Sequence, residues 1–199
     1  MAIKANREYR DIELKNFEMR DDDYIVEGYA AIFDEPYQLW EDEDGTKYFE
    51  VIKKSAFENA EMDDVIFLYN HEGMVYARLS NGTLDIEIDD VGIKTRADLS
   101  STNASKDMYA AIKSGLVTKM SWAFSISEDS FDRKTKTRSV DAVKRIYDVS
   151  AVSLPANPAT SISARDYVNG VKDIIEAERL QRQKEINKIK LKIKLGGKS

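Results

Sequence analysis

Over residues 118–127 the chain alternates without a break, with Met120, Trp122, Phe124 and Ile126 on one parity and Ser121, Ala123, Ser125 and Ser127 on the other. A period of two belongs to a β-strand, whose successive side chains leave opposite faces, and no helix can segregate these residues. The apolar set is large enough to plug a core, so the rest of the chain must supply a sheet and a cover for it. Other segments have matching length and pattern. Residues 8–18 and 24–33 alternate, 65–69 form a continuous apolar run suited to a strand buried on both faces, and 93–99 and 145–154 read as further strands, the last ending at Pro155. Asn81-Gly82 between residues 75–79 and 84–88 is a hairpin signal. Helices are few. Residues 54–60 suit a short one, and Ser101 or Thr102 can cap another through Met108, Tyr109 and Ile112, closed by Gly115. The acidic stretch 36–47 and the polar stretch 130–138 read as loops. Many short strands with a few helices predict a mostly-β (α+β) fold, a barrel or a sandwich.

Composition narrows the chemistry. With no cysteine and one histidine among 199 residues, disulfides, iron–sulfur clusters, thiolate zinc sites and cysteine nucleophiles are excluded, and an ordinary zinc site lacks its ligands. No cofactor and no metal is expected. The EDEDG segment fails as an EF-hand, because placing Gly45 sixth puts Trp40 first and Val51 twelfth, where carboxylates are required. No apolar run approaches the ~18 residues of a membrane span, and the N-terminus lacks an apolar signal core, so a soluble, intracellular-type protein with no membrane partner is expected.

Charge divides the chain near Arg165. Residues 165–199 hold ten basic and five acidic residues, a net of +5, which against −6 for the whole chain leaves −11 on the first 164. Such an acidic body makes nucleic acid an unsuitable partner. From Asp166 the tail reads as an amphipathic helix carrying Val168, Val171, Ile174, Ile175, Ile186, Ile189 and Ile193, with Gly170 a weak point. It suits a solvated helix, an arm that binds an acidic and apolar partner, or, with less support because it has no Trp or Phe anchor, a membrane or nucleic-acid binder. The expected division is a body over 1–164 and a basic helical tail over 165–199.

Three residues of the body invite a chemical reading. His71, the sole imidazole, follows the apolar run 65–69 directly, so its backbone is fixed at a strand end; a lone histidine is also commonly structural or merely exposed. Ser121 stands on the small-residue side of its strand, where polar residues ordinarily face water. It has no G-x-S-x-G elbow around it, so an α/β-hydrolase is not indicated. Asp148 lies in RIYDVSAVSLP on the same strand face as Ser150 and Val152; a carboxylate there needs a partner unless it sits at a wet edge.

Taken in order, VEGYAAIFDE, FEVIKKSAFENA, FLYNHEG, NGTLDIEIDDVGI, KSGLVTKMSWAFSI and IYDVSAVSLPANPAT resemble the prohead (capsid-maturation) serine proteases of tailed phages, distant relatives of the herpesvirus assemblin proteases. The resemblance covers about residues 24–165 and implies a closed or partly open β-barrel of the herpesvirus-protease type with a few surrounding helices. On it, His71 is the general base, Ser121 the nucleophile and Asp148 the third member, where the phage enzymes more often carry Glu and the herpesvirus enzymes a second His. An imidazole, with an ordinary pKa of ~6.5, accepts and returns the serine proton near neutral pH, and a carboxylate behind it fixes the tautomer. The herpesvirus enzymes place two arginines beside the oxyanion; this chain has Pro155-Ala156-Asn157 in that place, which makes a backbone N–H of Ala156 or Asn157 the expected oxyanion donor. The resemblance further implies a role inside the procapsid in the host cytoplasm, with the major capsid protein, its scaffolding segment and the enzyme itself as substrates, and self-association as in the herpesvirus dimers. The competing expectation is a non-catalytic scaffold or assembly chaperone that retained the fold.

Overall fold

A computed structural model describes residues 7–13, 18–20, 23–153 and 158–196. It divides into two units, Met1–Ser161 and Ile162–Ser199. In chain order the strands are β1 (Glu8–Glu13), β2 (Glu18–Arg20), β3 (Ile25–Ile32), β4 (Tyr37–Glu41), β5 (Lys47–Ile52), β6 (Ile66–Tyr69), β7 (Glu72–Arg78), β8 (Leu84–Ile88), β9 (Gly92–Asp98), β10 (Lys119–Asp132) and β11 (Thr137–Val152). Helix α1 (Asn103–Lys113) lies between β9 and β10, and α2 (Pro158–Gly196) follows β11. The mostly-β expectation therefore holds, with a C-terminal helix.

The alternating segment became β10, the spine of the first sheet. It is flanked antiparallel by β1 and β11; β11 then runs parallel to β5 along Thr137–Val140 and to β6 along Asp148–Ala151, with β4 and β7 outside β5 and β6. The second sheet is antiparallel, in the order β2-β3-β9-β8. Both sheets contribute to one core, in which Val26, Ile93 and Ala97 of the second join Phe67, Met120, Trp122, Phe124 and Ile146 of the first. Trp122 and Phe124 stack at 3.8 Å between ring centroids, and neither is exposed. Emptying a site like Trp122 to alanine costs about 3–5 kcal/mol in a close-packed core. Met108, Tyr109 and Ile112 of α1 join the same core, and the Thr102 hydroxyl caps that helix by accepting the Ser105 N–H at 3.0 Å.

Several local expectations are corrected. Asn81-Gly82 does turn the chain, with Gly82 at φ 76°, but the strands it joins do not pair with each other. β7 pairs with β6 and β8 with β9, so this turn passes the chain from the first sheet to the second. Stretch 36–47 contains β4 and the turn of the β4–β5 hairpin, and most of 130–138 is the end of the long β10–β11 hairpin. The predicted helix at 54–60 is one 3-10 turn, Lys54–Phe57, and the tail helix begins at Pro158 rather than Asp166. Polar residues misled in these loops because strand pairing satisfies backbone groups whatever side chains project to solvent. Among the described residues the ladders form two sheets, and none closes them into a barrel.

Candidate active site

The β6–β7 connection is a two-residue turn in which Tyr69 pairs with Glu72. Its two residues, Asn70 and His71, have φ of 50° and 61°, the positive values that primed hairpin turns demand. Positive φ is uncommon for any residue but glycine, though Asn and His enter it several-fold more often than most. The conformation is held from outside: the Asn70 N–H donates to the Ala151 carbonyl at 3.0 Å, and the Asn70 side chain accepts the Ser153 N–H at 3.3 Å. An imidazole is thereby fixed against the strand that carries Asp148 and Ser150.

Strand register supplies the rest. Ser121 of β10 lies opposite Ser150 of β11, Ala123 opposite Asp148, and Asp148 beside Ile66 of β6. Directly opposed residues share a face, so Ser121, Ser150 and Asp148 form one patch. His71 closes it. Its Nδ1–H donates to Asp148 Oδ1 at 2.6 Å, and the Ser121 hydroxyl donates to Nε2 at 2.7 Å. A carboxylate can only accept, so the proton belongs on Nδ1 and the free lone pair on Nε2. The Ser150 hydroxyl donates to the same Asp148 oxygen at 2.9 Å and lies 3.2 Å from Nδ1. The Tyr9 ring of β1 meets the imidazole edge-on at 4.6 Å.

The three sequence candidates His71, Ser121 and Asp148 are thus brought together. Ser121 does not face water as strand alternation alone suggested: it and Ser150 are fully buried, Asp148 is 3% exposed, and the His71 side chain is 5% exposed. Ala156 and Asn157 lie outside the described residues. Two contributors had no role assigned from the sequence: Ser150 was placed on the strand face of Asp148 but given no part in the site, and nothing local marked Tyr9. Among the described residues no group of three or more His, Cys, Asp or Glu side chains could hold a metal. None of the described helices is long and apolar enough to cross a membrane.

Behind the patch, β1 is fastened by buried charges. The Arg10 guanidinium grips Glu50 of β5 through Nε at 2.5 Å and Nη2 at 2.7 Å, and Arg138 of β11 holds Glu8 at 2.8 and 3.0 Å. Burial alone would raise the Glu8 carboxyl; the Arg10 and Arg138 guanidiniums outweigh it and hold the group below the usual carboxylate range. Chemically, the site is a hydroxyl hydrogen-bonded to an oriented base, with a carboxylate placed to stabilise the imidazolium that forms when the base takes a proton.

The family model described as Caudovirus prohead serine protease matches residues 10–173. A curated relative, the "Prohead protease" of Enterobacteria phage HK97, is 28% identical over 159 residues, which is 77% of this chain and 65% of that relative's length. No solved structure matches. With the family model spanning most of the sequence, from β1 into α2, the chain belongs to the caudovirus prohead serine protease family.

Proposed function

We propose that the protein is a serine endopeptidase that cleaves the scaffolding segment of a phage major capsid protein, and itself, inside the procapsid during head maturation. The observation that carries the reading is the unbroken chain from Ser121 Oγ through both nitrogens of His71 to Asp148 Oδ1, with steps of 2.7 and 2.6 Å. Ser121 Oγ attacks the scissile carbonyl carbon while His71 Nε2 takes its proton. Asp148 keeps Nδ1 protonated and faces the imidazolium. His71 then gives the proton to the leaving amine, the acyl group remains on Ser121, and water activated by the same base releases it. The oxyanion donors in this reading are backbone N–H groups of Ala156 or Asn157, carried over from the family resemblance. Self-association and a herpesvirus-type barrel are carried over in the same way, whereas the division at residue 165 rests on the change in charge along the sequence.

The test is mass spectrometry of capsid protein co-expressed with the chain. Wild type is expected to shorten it at a discrete site, and Ser121→Ala or His71→Ala to leave it whole, a loss on the order of 10^4-fold or more in rate. Intact capsid protein beside a wild-type chain that still enters particles would favour the non-catalytic scaffold instead. Cutting by both variants would displace the site.

A further inference from the structure

We propose that Ser150 is a positioning residue of this site, a second acceptor for the His71 Nδ1–H and a donor that orients Asp148. The inference rests on the protease reading and extends it by one residue. Ser150 is fully buried, faces Ser121 across the β10–β11 ladder, and has its hydroxyl within 2.9 Å of Asp148 Oδ1 and 3.2 Å of His71 Nδ1. A hydroxyl carries one donor and two acceptor lone pairs. With its proton on the carboxylate, a lone pair remains for Nδ1–H. Both interactions act on the imidazole: one fixes the carboxylate rotamer, the other favours the tautomer that leaves Nε2 free for the Ser121 proton.

The arrangement also suits Asp, one methylene shorter than Glu, as the carboxylate behind the ring. A shorter side chain has fewer torsions but reaches the ring from a nearer backbone, so its oxygen must be aimed closely. Ser150, two residues along the same strand face, supplies a fixed donor for that oxygen. When the carboxylate is removed, Ser150 remains as the acceptor on Nδ1. The Asp148→Ala variant is therefore expected to keep residual activity that Asp148→Ala/Ser150→Ala loses.

Two readouts test this, and the second needs no turnover. The first is p-nitrophenyl acetate hydrolysis by the full chain, with Ser121→Ala as blank. Ser150→Ala is expected to lower kcat ~10-fold or more with KM unchanged, as for loss of a hydrogen bond to a charged group, and Ser150→Thr to restore it within ~3-fold. The second is the imidazole 15N spectrum, which contains one side-chain signal set because His71 is the only histidine. Asp148→Ala should retain the Nδ1–H tautomer, and Asp148→Ala/Ser150→Ala should move toward Nε2–H. Wild-type kcat in Ser150→Ala, or the same tautomer in the single and double variants, overturns the proposal. If wild type shows no Ser121-dependent hydrolysis, the protease reading fails on its own and the spectrum still decides the role of Ser150.

Discussion

His71 and Asn70 both stand on left-handed backbone, a region that residues other than glycine seldom enter. Two successive left-handed residues turn β6 back into β7 in the shortest way a hairpin allows, which puts an imidazole over the end of β11 on a rigid mount. A residue in this region costs ~1–3 kcal/mol and persists only where its surroundings over-determine it. Here the Asn70 amide and side chain pin it to Ala151 and Ser153. Asn70→Gly should therefore keep the turn and most of the activity. Asn70→Val, whose β-branched side chain fits positive φ poorly, should lower the unfolding midpoint and the rate of Ser121 acylation together. Thermal denaturation and labelling with a fluorophosphonate measure both; equal behaviour of the two variants would remove the turn from the account.

At the scale of elements, periodicity in the sequence located many of the strands, missed β4, β5 and the far end of the β10–β11 hairpin, and could not assign partners. β10 was readable because Trp122 and Phe124 alternate with small residues, and α1 because its cap and closing glycine obey local rules. Asn81-Gly82 was misread because a dipeptide specifies a turn and says nothing of which strands it joins. The parallel pairing of β11 with both β5 and β6 depends on contacts roughly 80 residues apart, beyond any local pattern. His71, Ser121 and Asp148 were assigned through the family resemblance, since each alone had an ordinary structural explanation. The surroundings of Ser121 were not legible, because His71, which bonds it, and Tyr9, whose ring packs on His71, arrive from distant elements. β1, which brings Tyr9, depends on the Glu8 and Arg10 ion pairs. The Glu8 carboxyl is depressed in the folded state, so its contribution is fully present above the ordinary carboxylate range and is lost as pH falls through the folded value. In urea unfolding from about pH 7 to about pH 3, Glu8→Gln should be the less stable at the upper end and converge on wild type at the lower. A gap that does not shrink with acid would mean that Glu8 contributes shape rather than charge.

For the whole molecule, charge changes sign along the sequence near Arg165, whereas the two units of the structure are Met1–Ser161 and Ile162–Ser199. The first 164 residues carry −11 and contain both sheets and the core, while the tail carries +5 on a helix whose described apolar residues Ile174, Leu180, Ile186 and Ile189 are exposed. An acidic body is repelled by other acidic surfaces, and a basic helix with an apolar stripe is attracted to them. In the proposed setting, inside a shell lined by scaffolding segments, the helix is the part suited to recruitment and the sheets are the part suited to cutting. The two should then fail separately. A chain ending at Arg165 keeps β1 through β11 and every residue of the candidate site, so it should acylate at Ser121 at the wild-type rate, yet be depleted from purified procapsids. The comparison is particle protein content by quantitative mass spectrometry beside the same acylation assay on free protein. Undiminished incorporation of the shortened chain would put recruitment on the acidic body instead. Loss of acylation on truncation would mean that α2 supports the site rather than its delivery.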